Sequence, residues 1–441
     1  MFTYVHLKNF KSFGDVIFNL CDKHGLPKKL AIVYGENGIG KSNLMAAFYF
    51  FVETLHTMDV RDLLQNIFKN TPEDMPDDMF RAFIRNRFKD TEALIHEYKM
   101  AQSSENLYLE FGFRLAGKEG KYVLEMNDDE IVSESLEYIL VKRRGKYFDL
   151  TKERKFLSDK VFLDSDNIAS LNKSIEQFWG KHTFLSLLLY DISDKNHEYY
   201  DDLLSDNLKK ILSFITSISC KIKCGNRQEQ GILSFAHNRK FLNNYAEGKI
   251  SFDEKDILKK SENMLRYFLT TLNNDIKGVF YKQKKKNNHI QYKLYIKKNI
   301  YGQDRELRFD LESTGTQKIV ELLPYLLTVS DDSIVIIDEL DLGIHDVLVE
   351  NIVRSLRNYI NGQLIITTHN TLLMESDIPP ECFYVINELP NGHKEISCIL
   401  KYDNKIGNRT NMRKQFLLGK YHGVPEKFNL DFNKLKEYLY T

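Results

Sequence analysis

The sequence predicts an α/β protein with a mixed-sheet core, an antiparallel β-subdomain and a helical insertion. Three observations lead there. The apolar run Leu30-Ala31-Ile32-Val33-Tyr34 enters Gly35-Glu36-Asn37-Gly38-Ile39-Gly40-Lys41-Ser42 and continues into Leu44-Met45-Ala46-Ala47-Phe48, the order strand, glycine-rich loop, helix. Far along the chain, Ser333-Ile334-Val335-Ile336-Ile337 and Gln363-Leu364-Ile365-Ile366-Thr367-Thr368 are two more apolar runs of the kind that forms strands covered on both faces. In between, Leu107, Leu109, Phe111 and Phe113 alternate with other residues, the period of a sheet.

The elements follow in order. Phe2, Tyr4, Val5 and Leu7 read as a strand, Asn9–Gly14 as a turn, and Val16-Ile17-Phe18 as a second strand. The first helix runs from Ser42 to Thr57. Leu63, Leu64, Ile67 and Phe68 recur at helical spacing, with breaks at Pro72 and Pro76. The period-two texture extends through Tyr122–Met126 and Leu136–Val141, with turns at Gly117–Gly120 and Asn127–Asp129. Residues 165–275 read as mostly helical: Leu204, Leu208, Ile211, Ile215 and Ile218 keep one face, and Leu258, Leu265 and Leu272 are a heptad apart after a cap at Ser251. This stretch is either a protruding arm or a compact helical subdomain. From Gly278 to Phe309 strand returns, with Ile290, Tyr292, Leu294 and Ile296 on one face and a turn at Asn287-Asn288. An amphipathic helix over Lys318–Thr328 precedes the two late strands. The chain divides on this reading into an N-terminal lobe (1–164), a helical insertion (165–275) and a C-terminal lobe (276–441).

Composition narrows the class. Lys plus Arg and Asp plus Glu each total 62 in 441 residues, so no global field draws the protein to nucleic acid or acidic lipid. An apolar fraction of 42% is that of a globular chain. The five cysteines are scattered, which argues for free thiols rather than a disulfide framework. The N-terminal residues lack the pattern of a secretory leader, and no apolar run is long enough to span a bilayer, so a cytoplasmic protein is expected.

The chemistry starts at the glycine-rich loop. Gly35, Asn37, Gly38 and Gly40 let backbone N–H groups turn around a phosphate chain, and the helix that follows adds its positive end. Lys41 reaches the terminal phosphates of ATP, Ser42 sits on Mg2+, and Asn43 completes the loop. The strand Ile334–Ile337 ends in Asp338, placed to hold Mg2+, and Glu339, placed to orient and polarise an attacking water. The next strand ends at His369, on the ligand side of an open α/β sheet. Glu312-Ser313-Thr314-Gly315-Thr316-Gln317 opens the helix over Lys318–Thr328, ready to receive an anion.

These motifs and their order, with Asn9-Phe10-Lys11-Ser12-Phe13 ahead of them, resemble the ABC-type AAA ATPases of the SMC, Rad50 and RecF group. Within it the chain is most similar to the OLD-like ATPases of bacterial phage defence, the abortive-infection (AbiL/RloA) and PARIS-type proteins. Asp338-Glu339-Leu340-Asp341, Gly343-Ile344-His345, Thr367-Thr368-His369-Asn370 and the tail Arg413–Pro425 carry that likeness. The resemblance implies a homodimer or higher homo-oligomer, with ATP on Lys41 of one protomer closed by Ser313 and Gly315 of another. It implies that Phe10, Lys11, Ser12 and Phe13 lie near adenine or ribose, and that Asp341 and His345 cross the dimer interface. Thr316 stands where transporter ATPases have a second glycine, which argues against transport. Gln65 and Gln102 are candidates for the glutamine loop. Nuclease-bearing relatives carry a TOPRIM domain with an Asp-X-Asp, absent after His369, so an effector nuclease (TOPRIM, HNH or RloB-like) is expected in trans.

Lys277–Lys298 holds eight lysines and no acid, clustered at Lys282, Lys284, Lys285 and Lys286. Such a face either tracks the phosphates of a nucleic acid or guards a sheet edge against pairing. The function expected is an ATPase that senses and regulates in anti-phage defence; the alternative is a RecF- or SMC-like DNA-maintenance ATPase.

Overall fold

The computed structural model describes residues 1–62, 89–194, 202–224, 228–234, 241–242, 244–286, 289–403, 411–424 and 430–440. The helices expected around Leu63–Phe68 with their breaks at Pro72 and Pro76, the turn at Asn287-Asn288, and Gln65 lie outside these residues.

The chain begins with the hairpin β1 (Phe2–Phe10) and β2 (Phe13–Asn19), then β3 (Leu30–Gly35) leads through the glycine-rich loop into α1 (Lys41–Thr54). After α2 (Thr91–Tyr98) comes a meander: β4 (Leu107–Leu115), β5 (Lys118–Met126), β6 (Ile131–Ile139), β7 (Arg144–Thr151) and β8 (Lys155–Leu157). Helices α3 (Ser165–Phe178), α4 (Phe184–Asp194) and α5 (Asp206–Thr216) follow, then β9 (Ile218–Cys224), β10 (Gln228–Ile232), β11 (Glu247–Ser251) and α6 (Lys255–Leu272). Next are β12 (Ile276–Lys286), β13 (His289–Ile300), β14 (Gln303–Arg308), α7 (Thr314–Thr328), β15 (Ile334–Ile337), α8 (Asp346–Arg357) and β16 (Gln363–Thr367). The chain closes with β17 (Phe383–Glu388), β18 (Lys394–Cys398), α9 (Met412–Leu417) and α10 (Phe432–Tyr440).

Three sheets result. The central one has the order β10-β9-β15-β16-β3-β17-β18, parallel from β9 to β17 with antiparallel edges. Its middle strands are apolar throughout because both faces are covered. Ala31, Val33, Ile334, Ile336 and Ile365 join one core, while Leu30, Ile32, Val335, Ile337, Leu364 and Ile366 join the other. The second sheet is wholly antiparallel, in the order β2-β1-β4-β5-β6-β7-β8. Helix α1 lies between these two sheets. It is apolar on every side, as a helix buried on every side must be, with Leu44, Met45, Ala46, Ala47, Phe48 and Phe50 all closed to solvent. Its Phe48 and Phe51 rings pack on Phe111 of β4. The side chain of Gln363, also buried, accepts from Phe2 N at 2.8 Å and donates to Phe2 O at 3.0 Å and Lys28 O at 2.9 Å, so β16 anchors β1 across the layers.

The third sheet sets β13 between β12 and the pair β11 and β14. Ile290, Tyr292, Leu294 and Ile296 point inward as the alternation predicts, toward a core they share with Leu258, Leu265 and Leu269 of α6. Glu262 of that helix accepts from Tyr281 N at 2.9 Å.

The helical reading of 165–275 needs correction. It holds for α3 to α6, but Ile218 begins a strand instead of ending a helix face. Ile218, Cys220 and Ile222 alternate inward and are buried, and β9 pairs in parallel with β15. Among the described residues this region packs into both cores instead of standing out as an arm. The three segments expected from the sequence interleave: the central sheet takes β3 from the first, β9 and β10 from the second, and β15 to β18 from the third.

Candidate functional site

The site lies at the carboxyl ends of β3, β15 and β16, adjacent strands of the parallel sheet. The loop after β3 turns through glycines with positive φ, including Gly40 at 119° immediately before α1. A side chain at Gly40 would also meet Ser12 Oγ and the Phe13 ring at 3.0 Å. The β1–β2 turn therefore buttresses the loop. Ser12 Oγ accepts from Asn43 Nδ2 at 2.8 Å. Phe10 and Phe13 are fully buried, Phe10 against Phe50 and Tyr98, so they support the loop from within the core and present no ring face to a base. Lys11 lies over the Tyr98 ring.

Lys41 is buried and its Nζ donates to Gly35 O at 2.8 Å and Glu36 O at 2.9 Å. Burial pulls its pKa down, while the charges of Asp338, Glu339, Asp341 and Glu36 pull it up. Residues from opposite ends of the chain thus share one electrostatic neighbourhood.

Asp338 is gripped from both neighbouring strands. Its N donates to Lys221 O of β9 at 2.8 Å, and its Oδ1 accepts from Thr367 Oγ1 of β16 at 2.6 Å. Burial raises its pKa; Thr367, Ser42 and the Lys223 backbone work against that rise. Its Oδ2 is buried with no hydrogen-bond partner among the described residues. An uncapped carboxylate oxygen next to a serine hydroxyl suits Mg2+, which takes one or two protein oxygens and completes its shell with water and phosphate. No cluster of three or more acidic, histidine or cysteine ligands exists among the described residues. The residues present fit magnesium–ATP: Lys41 and the loop amides would hold the phosphates, and Ser42 and Asp338 the metal.

Glu339 has φ +49°, a left-handed conformation that glutamate rarely adopts. Two contacts hold it: its N donates to Thr367 Oγ1 at 2.7 Å, and its Oε2 pairs with Lys223 Nζ at 3.0 Å. His369 is exposed, and its backbone N donates to both carboxylate oxygens of Asp341 at 3.1 and 3.3 Å. Asn370 fixes the turn by donating to Asp346 O at 2.7 Å and accepting from Leu372 N at 2.9 Å. The tail reaches this turn: Arg413 Nε donates to Thr371 Oγ1 at 3.0 Å.

Ser313 is the exposed N-cap of α7, accepting from Thr316 N. Gly315 rests against the 341–345 loop, where an added Cβ would come within 2.8 Å of Gly343 O. No hydrogen bond joins Ser313 or Gly315 to residues 35–42 among the described residues. Asp341 and His345, expected at an interface, are engaged within the chain, Asp341 on His369 and His345 as the cap of α8. Gln102 follows α2 with φ +62°, in a loop tied to the end of β1 where Met100 N donates to Asn9 O at 2.7 Å. In the lysine hairpin, Lys282 pairs with Glu306 at 2.8 Å, while Lys284, Lys285 and Lys286 are exposed. Sequence reasoning missed Thr367 and Lys223. In the sequence Thr367 reads only as the end of an apolar run and the first residue of the Thr367–Asn370 motif, with no contact to the two acids foreseen, and Lys223 sits in a strand where the sequence predicts helix.

Fold and site together define a P-loop ATPase domain. The chain belongs to the family described as "AAA domain, putative AbiEii toxin, Type IV TA system", which it matches over residues 30–375. Among solved structures it is similar to the SMC head domain from Thermotoga maritima, at 13% identity and TM-score 0.36, covering 90% of this chain and 98% of that one. It is similar to an SMC head bound to the C-terminal winged-helix domain of ScpA, at 12% identity and TM-score 0.42, covering 90% and 96%. It is also similar to the recombination mediator protein RecF of the RecFOR pathway, at 14% identity and TM-score 0.37, covering 90% and 98%. No curated protein matches the chain significantly. No helix among the described residues is long and apolar enough to cross a membrane.

Proposed function

We propose that the protein hydrolyses ATP, dimerises head to head around it, and acts as the sensor of a bacterial anti-phage system whose effector nuclease is a separate protein. Lys41 holds the phosphates, Ser42 and Asp338 the Mg2+, Glu339 polarises the attacking water, and His369 meets the γ-phosphate. The observation that carries the dimer is the position of the α7 cap. Ser313 faces solvent on a turn braced by Gly343, with no bond to its own P-loop among the described residues. An anion-ready helix end that does not serve its own loop is suited to serve that of a second copy. A dimer closed by the γ-phosphate is a two-state element biased by a ligand, which is what a sensor requires. Membership of a family described in toxin–antitoxin terms supports the defence setting.

The test is solution mass with and without ATP. Glu339→Gln with ATP should double in mass and hydrolyse poorly, and Lys41→Ala should neither bind ATP nor change mass. Normal turnover in Glu339→Gln would remove that residue from its role, and an ATP-independent mass would remove the dimer. In cells, loss of phage protection in Lys41→Ala is expected; protection equal to wild type would refute the sensor.

A second reading, a DNA-maintenance ATPase, is favoured by the exposed Lys284–Lys286 at the end of the β12–β13 hairpin. It requires DNA-stimulated hydrolysis and an affinity that falls steeply with salt and on charge reversal of those lysines.

A further inference from the structure

We infer that Lys223 is a positioning residue that couples the Glu339 carboxylate to the terminal phosphate of the nucleotide. It pairs with one or the other but not with both at full strength. The inference rests on the ATPase reading above and adds a residue to it.

Three observations point there. First, the two acids at the end of β15 are held from opposite sides. Thr367 on β16 donates to Asp338 and accepts from Glu339 N, while β9 supplies Lys221 O to Asp338 N and the Lys223 ammonium to Glu339. Lys223 also bears on Asp338 through its backbone, which eases that carboxylate's charge. One residue thus pairs with one acid of the site and bears on the charge of the other. Second, Lys223 and Glu339 line the same cleft, together with Lys221, Lys318 and Asp338. Third, the pair is formed but not sealed: the lysine side chain is 35% exposed and the glutamate 25%. Lysine is a point charge on a flexible stem, so its ammonium can swing without moving β9.

The chemistry follows from competition between anions. An ammonium at 3.0 Å engages the Glu339 carboxylate in a charge-assisted hydrogen bond, so that oxygen is not free to orient a water. A nucleoside triphosphate brings a more highly charged anion to the Lys41 end of the site, whose charge environment already includes Asp338 and Glu339. The ammonium then divides its attention, and Glu339 is released toward the water as the phosphate is gripped. No bond is made or broken in this exchange; only the partner of one cation changes. A nucleoside diphosphate, lacking the terminal phosphate, competes less well. Lys223 therefore favours triphosphate over diphosphate and ties that preference to the state of Glu339.

The test is a double-mutant cycle on binding, with a fluorescent non-hydrolysable ATP analogue and the matching ADP. Wild type, Lys223→Met, Glu339→Gln and the double variant are compared, with Lys223→Arg as the conservative control. Glu339→Gln should tighten analogue binding, and much of that gain should vanish in the Lys223→Met background. Lys223→Met alone should cut the ATP-over-ADP preference by about tenfold, the worth of one charge-assisted phosphate contact, and Lys223→Arg should restore it. If Glu339→Gln tightens binding equally with and without Lys223, loss of a negative charge explains the whole effect and the coupling is refuted. An unchanged ATP-over-ADP preference in Lys223→Met refutes it as well. Wild type that binds no ATP would overturn the ATPase reading itself and this inference with it, an outcome separate from the other two. Melting temperatures of the four proteins distinguish lost coupling from lost folding.

Discussion

Thr367 shows how much of the site hangs on single atoms. Its hydroxyl donates to Asp338 and accepts from the N–H of Glu339, a residue in a conformation that needs such support. Thr367→Val keeps the shape and removes both bonds. Leaving two buried groups unpaired costs roughly 2–4 kcal/mol, so the melting temperature should fall. Because the hydroxyl orients a magnesium-ligand candidate, the Mg2+ concentration for half-maximal hydrolysis should also rise about tenfold. A magnesium titration that superimposes on wild type would show that Thr367 serves stability alone. The places of Lys41, Ser42, Asp338, Glu339 and His369 at strand and helix ends were legible in the sequence because each of those ends carries a local signature. Thr367 and Lys223 were not, because their roles depend on which strands become neighbours. Parallel pairing joins residues far apart, and no short-range pattern announces it.

Among elements, the junction of the second sheet with the helices turns on Glu134 of β6. This buried carboxylate accepts from Tyr122 Oη at 3.0 Å, Trp179 Nε1 at 3.1 Å, and Phe184 N and Leu185 N at the start of α4. Burial, only partly offset by those donors, lifts its pKa to about 7. The folded protein therefore favours the protonated form more than the unfolded chain does. The stability this contributes is present in full below the ordinary carboxylate pKa and is lost as pH rises through about 7. The difference is on the order of 3 kcal/mol. Wild type should accordingly lose thermal stability relative to Glu134→Gln between about pH 5 and pH 8; parallel melting curves for the two would refute this. A second element, the turn opening α7, meets the 341–345 loop backbone to backbone at Gly315. Gly315→Ala should displace that loop, keeping ATP binding by the single protomer but losing ATP-driven association. Sedimentation velocity with ATP decides it. The strands β4 to β6 were readable because alternation over nine residues is a strong signal, whereas β9 offers three alternating positions directly after a helix face and is hidden by it.

At the scale of the molecule, the central sheet is assembled from all parts of the chain. Strand β3 sits between β16 and β17, and β9 beside β15. The matched family segment ends at residue 375, before β17. A chain cut there should leave the β17 side of β3 unpaired, with Tyr34 stripped of Phe383 and Phe416, and should accumulate as aggregate. Soluble, ATP-binding protein from that truncation would show that the tail is dispensable. The same topology sets a timetable for biosynthesis. The strand that leads into the glycine-rich loop leaves the ribosome early, but the first of its neighbours is not complete until Thr367 has been added and the second not until Glu388. At ordinary elongation rates that is roughly 20–70 seconds during which an apolar segment waits without both partners. No nascent chain shorter than this can hold ATP in a finished site, so cells should carry this activity only in completed molecules, and chaperone supply should limit its yield.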